Sequence, residues 1–304
     1  MAASNSAKWF WGIFLSLVFI GLIFVGISFI LFAQAIKYRT GEYTSFGSGD
    51  KIAIVEINDV IFSSEKPVEQ LKKFREDKSI KAIILRINSP GGGVAASQEI
   101  YEEVKRTRDS GKPVVVSMGS IAASGGYYIA CGSSLIVANP GTLTGSIGVI
   151  MQFVNFKDLA EKLGIKHTTV KSGDLKDSGN PFRDVNRKDS LYFQEIIDNT
   201  FGQFIDVVAK ERKLDKDTLL KYANGRVFTG LQAKEYGLID SLGTFEDAIR
   251  IASKMAGIEG EPRIIREKKR FSLFEEFIGS KIEDVTDIKN RLFEEPILQY
   301  KFTP

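Results

Sequence analysis

Twenty-five consecutive residues, Trp9 to Ala33, carry no charge and are rich in Phe, Ile, Leu and Val. A helix of that length rises about 37 Å, more than the roughly 30 Å of hydrocarbon in a bilayer. A buried core helix this long would normally show a polar stripe, so residues 9–36 read as a single membrane span behind a short N-terminal segment, 1–8. The uncharged run also exceeds the 7 to 15 residues of a secretory h-region. It is therefore expected to stay attached as an anchor, although Ala33-Gln34-Ala35 has the small-x-small form of a signal peptidase site. Lys8 lies before the span and Lys37 and Arg39 after it, so the positive-inside rule leaves its orientation open.

Removing the three basic and two acidic residues of positions 1–50 from totals of 41 and 38 leaves 38 against 36 in the remaining 254 residues. That near-neutral part has neither the basic stripe nor the aromatic platforms that nucleic-acid binding requires. One Cys (Cys131) and one His (His167) in the whole chain exclude an intramolecular disulfide, a thiolate zinc cage and a multi-His metal site. No metal and no cofactor are expected. Catalysis would have to rest on Ser, Lys, Asp, Glu or backbone groups.

After a polar linker, 37–50, the chain alternates in period. Lys51 to Ile57, Lys81 to Ile87, Pro113 to Met118 and Leu135 to Ala138 read as strands, with helices over 67–76, 94–108 and 124–130 between them. Ile165 to Lys171 reads as a fifth strand that holds His167. The βαβαβ rhythm predicts an α/β fold with a mostly parallel sheet. Further helices are expected over 190–211, 217–222, 231–236 and 245–256. The folded domain is bounded at 51–260, followed by a charged, partly amphipathic tail, 261–304. In the tail Phe274, Phe277, Ile278, Val285, Ile288 and Leu292 fall near helical spacing, and the bland reading is a helix packed on this domain or on a neighbouring copy.

Two glycine-rich turns follow strands. Pro90-Gly91-Gly92-Gly93 exposes backbone N–H groups at the carboxyl end of the sheet, where open α/β folds bind ligands and where such groups can hold an oxyanion. Taken alone it is more often a tight turn, and neither nucleotide-binding glycine motif is present. In the second, Ala122-Ala-Ser-Gly-Gly126, Ser124 would ordinarily be a helix N-cap. Its small neighbours leave the hydroxyl open, and a helix N-terminus favours negative charge beside it. A serine nucleophile needs a base, either His167 or a lysine such as Lys176. A loop lysine has an ordinary pKa near ~10.4, and burial must depress it before it can accept a proton at neutral pH.

Six segments in order carry a resemblance: the N-terminal anchor, Arg86-Ile-Asn-Ser-Pro-Gly-Gly-Gly93, Gly119-Ser-Ile-Ala-Ala-Ser-Gly-Gly-Tyr-Tyr-Ile-Ala130, Thr144-Gly-Ser-Ile-Gly-Val149, Lys171-Ser-Gly-x-x-Lys-Asp177 and Asn224-Gly-Arg-Val-Phe-Thr-Gly-x-x-Ala233. Together they resemble the bacterial signal peptide peptidase A family in its short, single-copy form, over about residues 50–255. The resemblance implies a ClpP/crotonase-like fold of repeated ββα units and a Ser/Lys dyad, with Ser124 as nucleophile and Lys176 as general base. It further implies that Ser146 orients Lys176, and that backbone N–H groups of Gly91 or Gly92 and of Gly125 form an oxyanion hole, each donor worth ~3–4 kcal/mol of barrier. The implied substrates are hydrophobic signal-peptide remnants in the bilayer. The implied assembly is a ring-like homo-oligomer with eight copies as the expectation, and the implied location is the cytoplasmic membrane, single-pass, with the catalytic domain on the extracytoplasmic side. Two other readings remain open at this point, a crotonase-like acyl-thioester enzyme and a catalytically inactive membrane scaffold.

Overall fold

The computed structural model describes residues 5–37, 43–46, 49–267 and 298–302. The Ala33-Gln34-Ala35 backbone is helical. Arg39 and the tail positions Phe274, Phe277, Ile278, Val285, Ile288 and Leu292 lie outside the described residues. Two compact units are distinguished, residues 1–44 with 267–269 and residues 45–266 with 270–304. The first contains helix α1 (Asn5–Lys37). Within it Trp11–Phe29 is long and apolar enough to cross a membrane and is unburied along its length.

The second unit begins within β1 (Tyr43–Phe46) and continues as β2 (Lys51–Asn58), α2 (Glu65–Glu76), β3 (Ile80–Ser89), β4 (Gly91–Gly93), α3 (Val94–Asp109), β5 (Val114–Ala123), α4 (Gly125–Cys131), β6 (Leu135–Ala138), β7 (Leu143–Gly145), β8 (Ile150–Met151), α5 (Lys157–Lys162), α6 (Arg187–Arg212), α7 (Lys216–Leu220), β9 (Val227–Thr229), α8 (Gly230–Glu235), β10 (Ser241–Leu242), α9 (Phe245–Met255), β11 (Arg263–Glu267) and β12 (Leu298–Lys301). Among the described residues nine strands form one sheet, ordered β1-β11-β2-β3-β5-β6-β10, with β7 on β5 and β9 on β7. The pairings β11–β2, β2–β3, β3–β5, β5–β6, β6–β10 and β5–β7 are all parallel.

Parallel strands are covered on both faces, which is why they read as unbroken apolar runs. Ile52, Ala53, Ile54 and Val55 are all at most 2% exposed. Alternate residues face opposite sides of the sheet. Ile52, Ile54, Ala82, Ile84, Val115 and Val137 share one cluster with Ala248 and Ala252 of α9. Ion pairing fixes the long helix α6 beside the sheet: Arg212 Nη2 lies 2.7 Å from Asp240 Oδ1, and Asp240 Oδ2 accepts from Ile136 N at 2.7 Å.

Residues 165–171 correct the sequence reading. They form no strand, and Ile165 and Val170 are 54% and 95% exposed. Their β-branched residues suit a strand, but among the described residues no strand pairs with them. His167 instead stacks on Phe182, with ring centroids 5.1 Å apart. The segment expected to be tail contributes two strands: β11 extends the sheet beside β2, and β12 pairs antiparallel with both β4 and β8.

Candidate active site

The two glycine turns converge because of strand register. Ser89 of β3 is paired with Ala122 of β5, so the turns that leave these parallel strands start side by side at their carboxyl ends. The backbones are close enough that a Cβ built on Gly91 would lie 2.7 Å from Gly125 N, and one built on Gly125 would lie 3.3 Å from Gly91 Cα. Gly91 has φ +101°, a conformation that glycine adopts without steric cost. Its own N–H donates to Ser89 Oγ at 3.1 Å.

Ser124 sits between β5 and α4 with φ 52° and ψ −113°, which is sparsely populated for a residue with a Cβ. Two backbone bonds hold it there: Ser124 N donates to Gly145 O at 2.7 Å, and Tyr128 N donates to Ser124 O at 2.8 Å. The side chain does not cap the helix. The residue is 1% exposed, and its Oγ has no hydrogen-bond partner among the described residues. An unpartnered buried hydroxyl on a strained strand-to-helix turn is costly, and such strain concentrates at functional sites.

Ser146 lies on the neighbouring turn, because Ala123 of β5 pairs with Gly145 of β7. It also has positive φ, 50°, is 5% exposed, and its N donates to Arg226 O at 2.8 Å. It lines a cavity of about 460 Å³ whose wall includes Ile147, Ile197, Phe201, Asn224 and Phe302.

Lys176 lies elsewhere, on an exposed turn within 173–179. It makes no hydrogen bond to Ser124 Oγ, which has none. The turn is held by charge. Arg183 bridges Asp177 and Asp189, with Nε 3.0 Å from Asp177 Oδ2 and Nη2 3.0 Å from Asp189 Oδ1; Ser178 Oγ donates to Asp189 at 2.6 Å, and Lys171 Nζ reaches Asp177 at 2.6 Å. The Arg183 hydrogen bonds outweigh burial and hold the Asp189 carboxyl well below the usual carboxylate range. Asp189 also closes the capping box of α6 with Asn186. Beside this turn large apolar side chains stand in solvent: Leu191 is 62% exposed and Leu175 42%.

Among the described residues no cluster of His, Cys, Asp and Glu could hold a metal. Cys131 is buried, and burial pushes its thiol up to about 12, which keeps it protonated. Sequence reasoning missed β12. Its Tyr300 pairs with Gly92, and the Tyr300 carbonyl would collide with a Cβ built on Gly91 and lie 3.1 Å from one on Gly125. Four residues of mixed polarity, far from any other strand signal, do not reveal such a partner.

Comparison with known proteins gives the family. The profile of the Clp protease family matches residues 50–138, and that of Peptidase family S49 matches residues 106–259. A Synechocystis protein provisionally named a protease is 44% identical over 69% of this chain and 76% of its own length. An Enterococcus faecium protein provisionally named signal peptide peptidase SppA is 36% identical over 80% of this chain and 74% of its own. Protease 4 of Haemophilus influenzae is 35% identical over 68% of this chain but only 35% of its own length. A mostly parallel Clp-protease-like sheet, with a strained serine beside a glycine-rich turn, thus belongs to Peptidase family S49, and the chain is a serine peptidase of the short signal peptide peptidase A type.

Proposed function

We propose that Ser124 is the nucleophile of a peptidase whose general base is Lys176 of a neighbouring copy of this chain. The observation that carries this reading is the buried, strained and unpartnered Ser124 hydroxyl. Lys176 is on an exposed turn that Arg183, Asp177 and Asp189 brace, so delivery by a second molecule needs no dismantling of the turn. The solvent-exposed apolar side chains around it suit burial between copies in a ring-like homo-oligomer.

In the reaction, Ser124 Oγ attacks the substrate carbonyl carbon and its proton passes to the Lys176 amine. The tetrahedral oxyanion is held by N–H groups of Gly92 and Gly125; the Gly91 N–H is already engaged by Ser89. The leaving amine takes the proton from Lys176, and water, deprotonated by the same amine, hydrolyses the acyl-enzyme. Ser146, one turn away from Ser124, orients the incoming Lys176 amine. Labelling with a fluorophosphonate tests the nucleophile: the native chain is labelled and Ser124→Ala is not. Equal labelling of the two refutes the assignment.

The substrates in this reading are hydrophobic signal-peptide remnants, and α1 holds the enzyme at the cytoplasmic membrane with its catalytic domain on the extracytoplasmic side. Family membership and the span-length apolar helix support it. Full-length protein should remain in the membrane fraction after alkaline carbonate extraction, and its release intact would remove the anchor from the scheme.

A further inference from the structure

The glycine turn that follows β3 is clamped from behind by residues 59–61. Ile61 bridges Gly92 in the parallel sense, along the edge of Gly92 opposite the one that Tyr300 pairs with. Ile61 N donates to Gly91 O at 2.9 Å, and Gly93 N donates to Ile61 O at 2.8 Å. No peptide bond among the described residues is cis, and in a trans peptide the carbonyl and the N–H point in opposite directions. With the Gly91 carbonyl turned to Ile61, the Gly92 N–H is therefore turned away from it, to the edge on which Gly125 also lies.

Sterics alone do not enforce that orientation. The peptide between Gly91 and Gly92 has a glycine on each side, so it can rotate without meeting a Cβ of its own. A rotated peptide would follow the same path and present a carbonyl oxygen to the hole in place of a donor. Such an oxygen repels an oxyanion.

Ser89 supplies the missing constraint. Its side chain is 0% exposed, and its Oγ accepts from Gly91 N at 3.1 Å and donates to Asp59 O. Gly91 O, 3.4 Å from the same hydroxyl, is the more distant acceptor and already takes the Ile61 N–H. One hydroxyl thus ties the amide that precedes the oxyanion donor to the loop that fixes its carbonyl. Asp59 holds φ 58°, and its N–H donates to Asn88 O at 3.1 Å, which returns the loop to β3 one residue before Ser89. Without the hydroxyl, Gly91 N and Asp59 O each lose this buried partner, a cost that loosens turn and loop together.

We infer that Ser89 is a positioning residue for the oxyanion hole: its hydroxyl, held between Gly91 N and Asp59 O, keeps the Gly91–Gly92 peptide with its N–H aimed at the attacked carbonyl. The inference rests on Ser124 being the nucleophile and Gly92 a donor, and deepens that reading by naming the side chain that aims the donor.

Inactivation kinetics of the full chain with a fluorophosphonate test it, because the phosphoryl oxygen enters the hole as the serine is modified. Ser89→Ala should lower the maximal rate constant, kinact, by at least about 10-fold, and at most by the roughly 10²–10³ that removal of one oxyanion-hole donor costs. The half-saturating concentration, KI, should stay within about twofold, since Ser89 does not touch the ligand. Ser89→Thr keeps the hydroxyl and should recover most of the lost rate. Thr107→Val is the control for losing a buried hydroxyl: Thr107 is 0% exposed, donates to Glu103 O at 2.8 Å and lies at the far end of α3 from the glycine turn. It should lower Tm and leave kinact unchanged. An unchanged kinact in Ser89→Ala overturns the assignment, and so does a folded Ser89→Thr chain that reacts as slowly as Ser89→Ala. In either case the native chain is still labelled and the nucleophile reading stands. If the native chain is not labelled at all, that reading fails and the role of Ser89 fails with it.

Discussion

Chains carrying Ser124→Ala and chains carrying Lys176→Ala should each be inactive alone and should regain peptide hydrolysis when co-expressed. Removal of either member of a nucleophile–base pair typically costs ~10³-fold or more. If each site takes its serine from one chain and its lysine from the next, random assembly restores up to about one quarter of the sites. A dyad formed within one chain would leave the mixture as inactive as its parts, which decides between the two arrangements. Lys176→Arg should fail as Lys176→Ala does, because guanidinium stays charged and cannot accept the proton. Activity retained in Lys176→Arg would instead move the base elsewhere, and His167, stacked on Phe182 in the same exposed region, would be the first alternative to test by His167→Gln.

Gly91→Ala should have the second large effect, on stability and catalysis together. At φ +101° an alanine is strained by about 1–3 kcal/mol, which corresponds to a fall of roughly 3–10 °C in Tm for a domain of this size. The added methyl would also lie 2.7 Å from Gly125 N and collide with the Tyr300 carbonyl, wedging apart the donors of the proposed oxyanion hole. Loss of one such donor is worth about 10²–10³ in rate. Gly111→Ala is the matched control, since Gly111 has φ +89° with nothing within 4 Å of a built Cβ. It should share the loss of Tm and keep the activity. If Gly91→Ala also keeps full activity, the turn does not shape the hole.

The central strands were legible for a physical reason. Burial on both faces makes β2, β3, β5 and β6 strongly apolar runs, and Pro or Gly follows β3, β5 and β6 closely enough to mark their ends. The glycine turns were legible as candidates, but their meeting depends on the Ser89–Ala122 register, which no local pattern records. Capping by Ser124 was a fair expectation from residue type; its φ of 52°, and a hydroxyl with no partner among the described residues, are features that residue type does not report. Residues 165–171 misled because β-branched composition reports a fit to a pleated surface and cannot report whether a neighbouring strand exists.

The order of the sheet also imposes a timetable. Strand β2 is made early, yet one of its two neighbours, β11, joins it through Arg263, Ile264, Ile265 and Arg266, about two hundred residues later. Until those residues have been synthesised, one edge of an apolar strand stands open, which is the condition that invites pairing with another chain. Contacts of such long sequence separation also make folding slow. A nascent molecule therefore has a window of vulnerability that closes only as its last parallel strand arrives, and shielding during that window matters more for this topology than for one assembled from local hairpins.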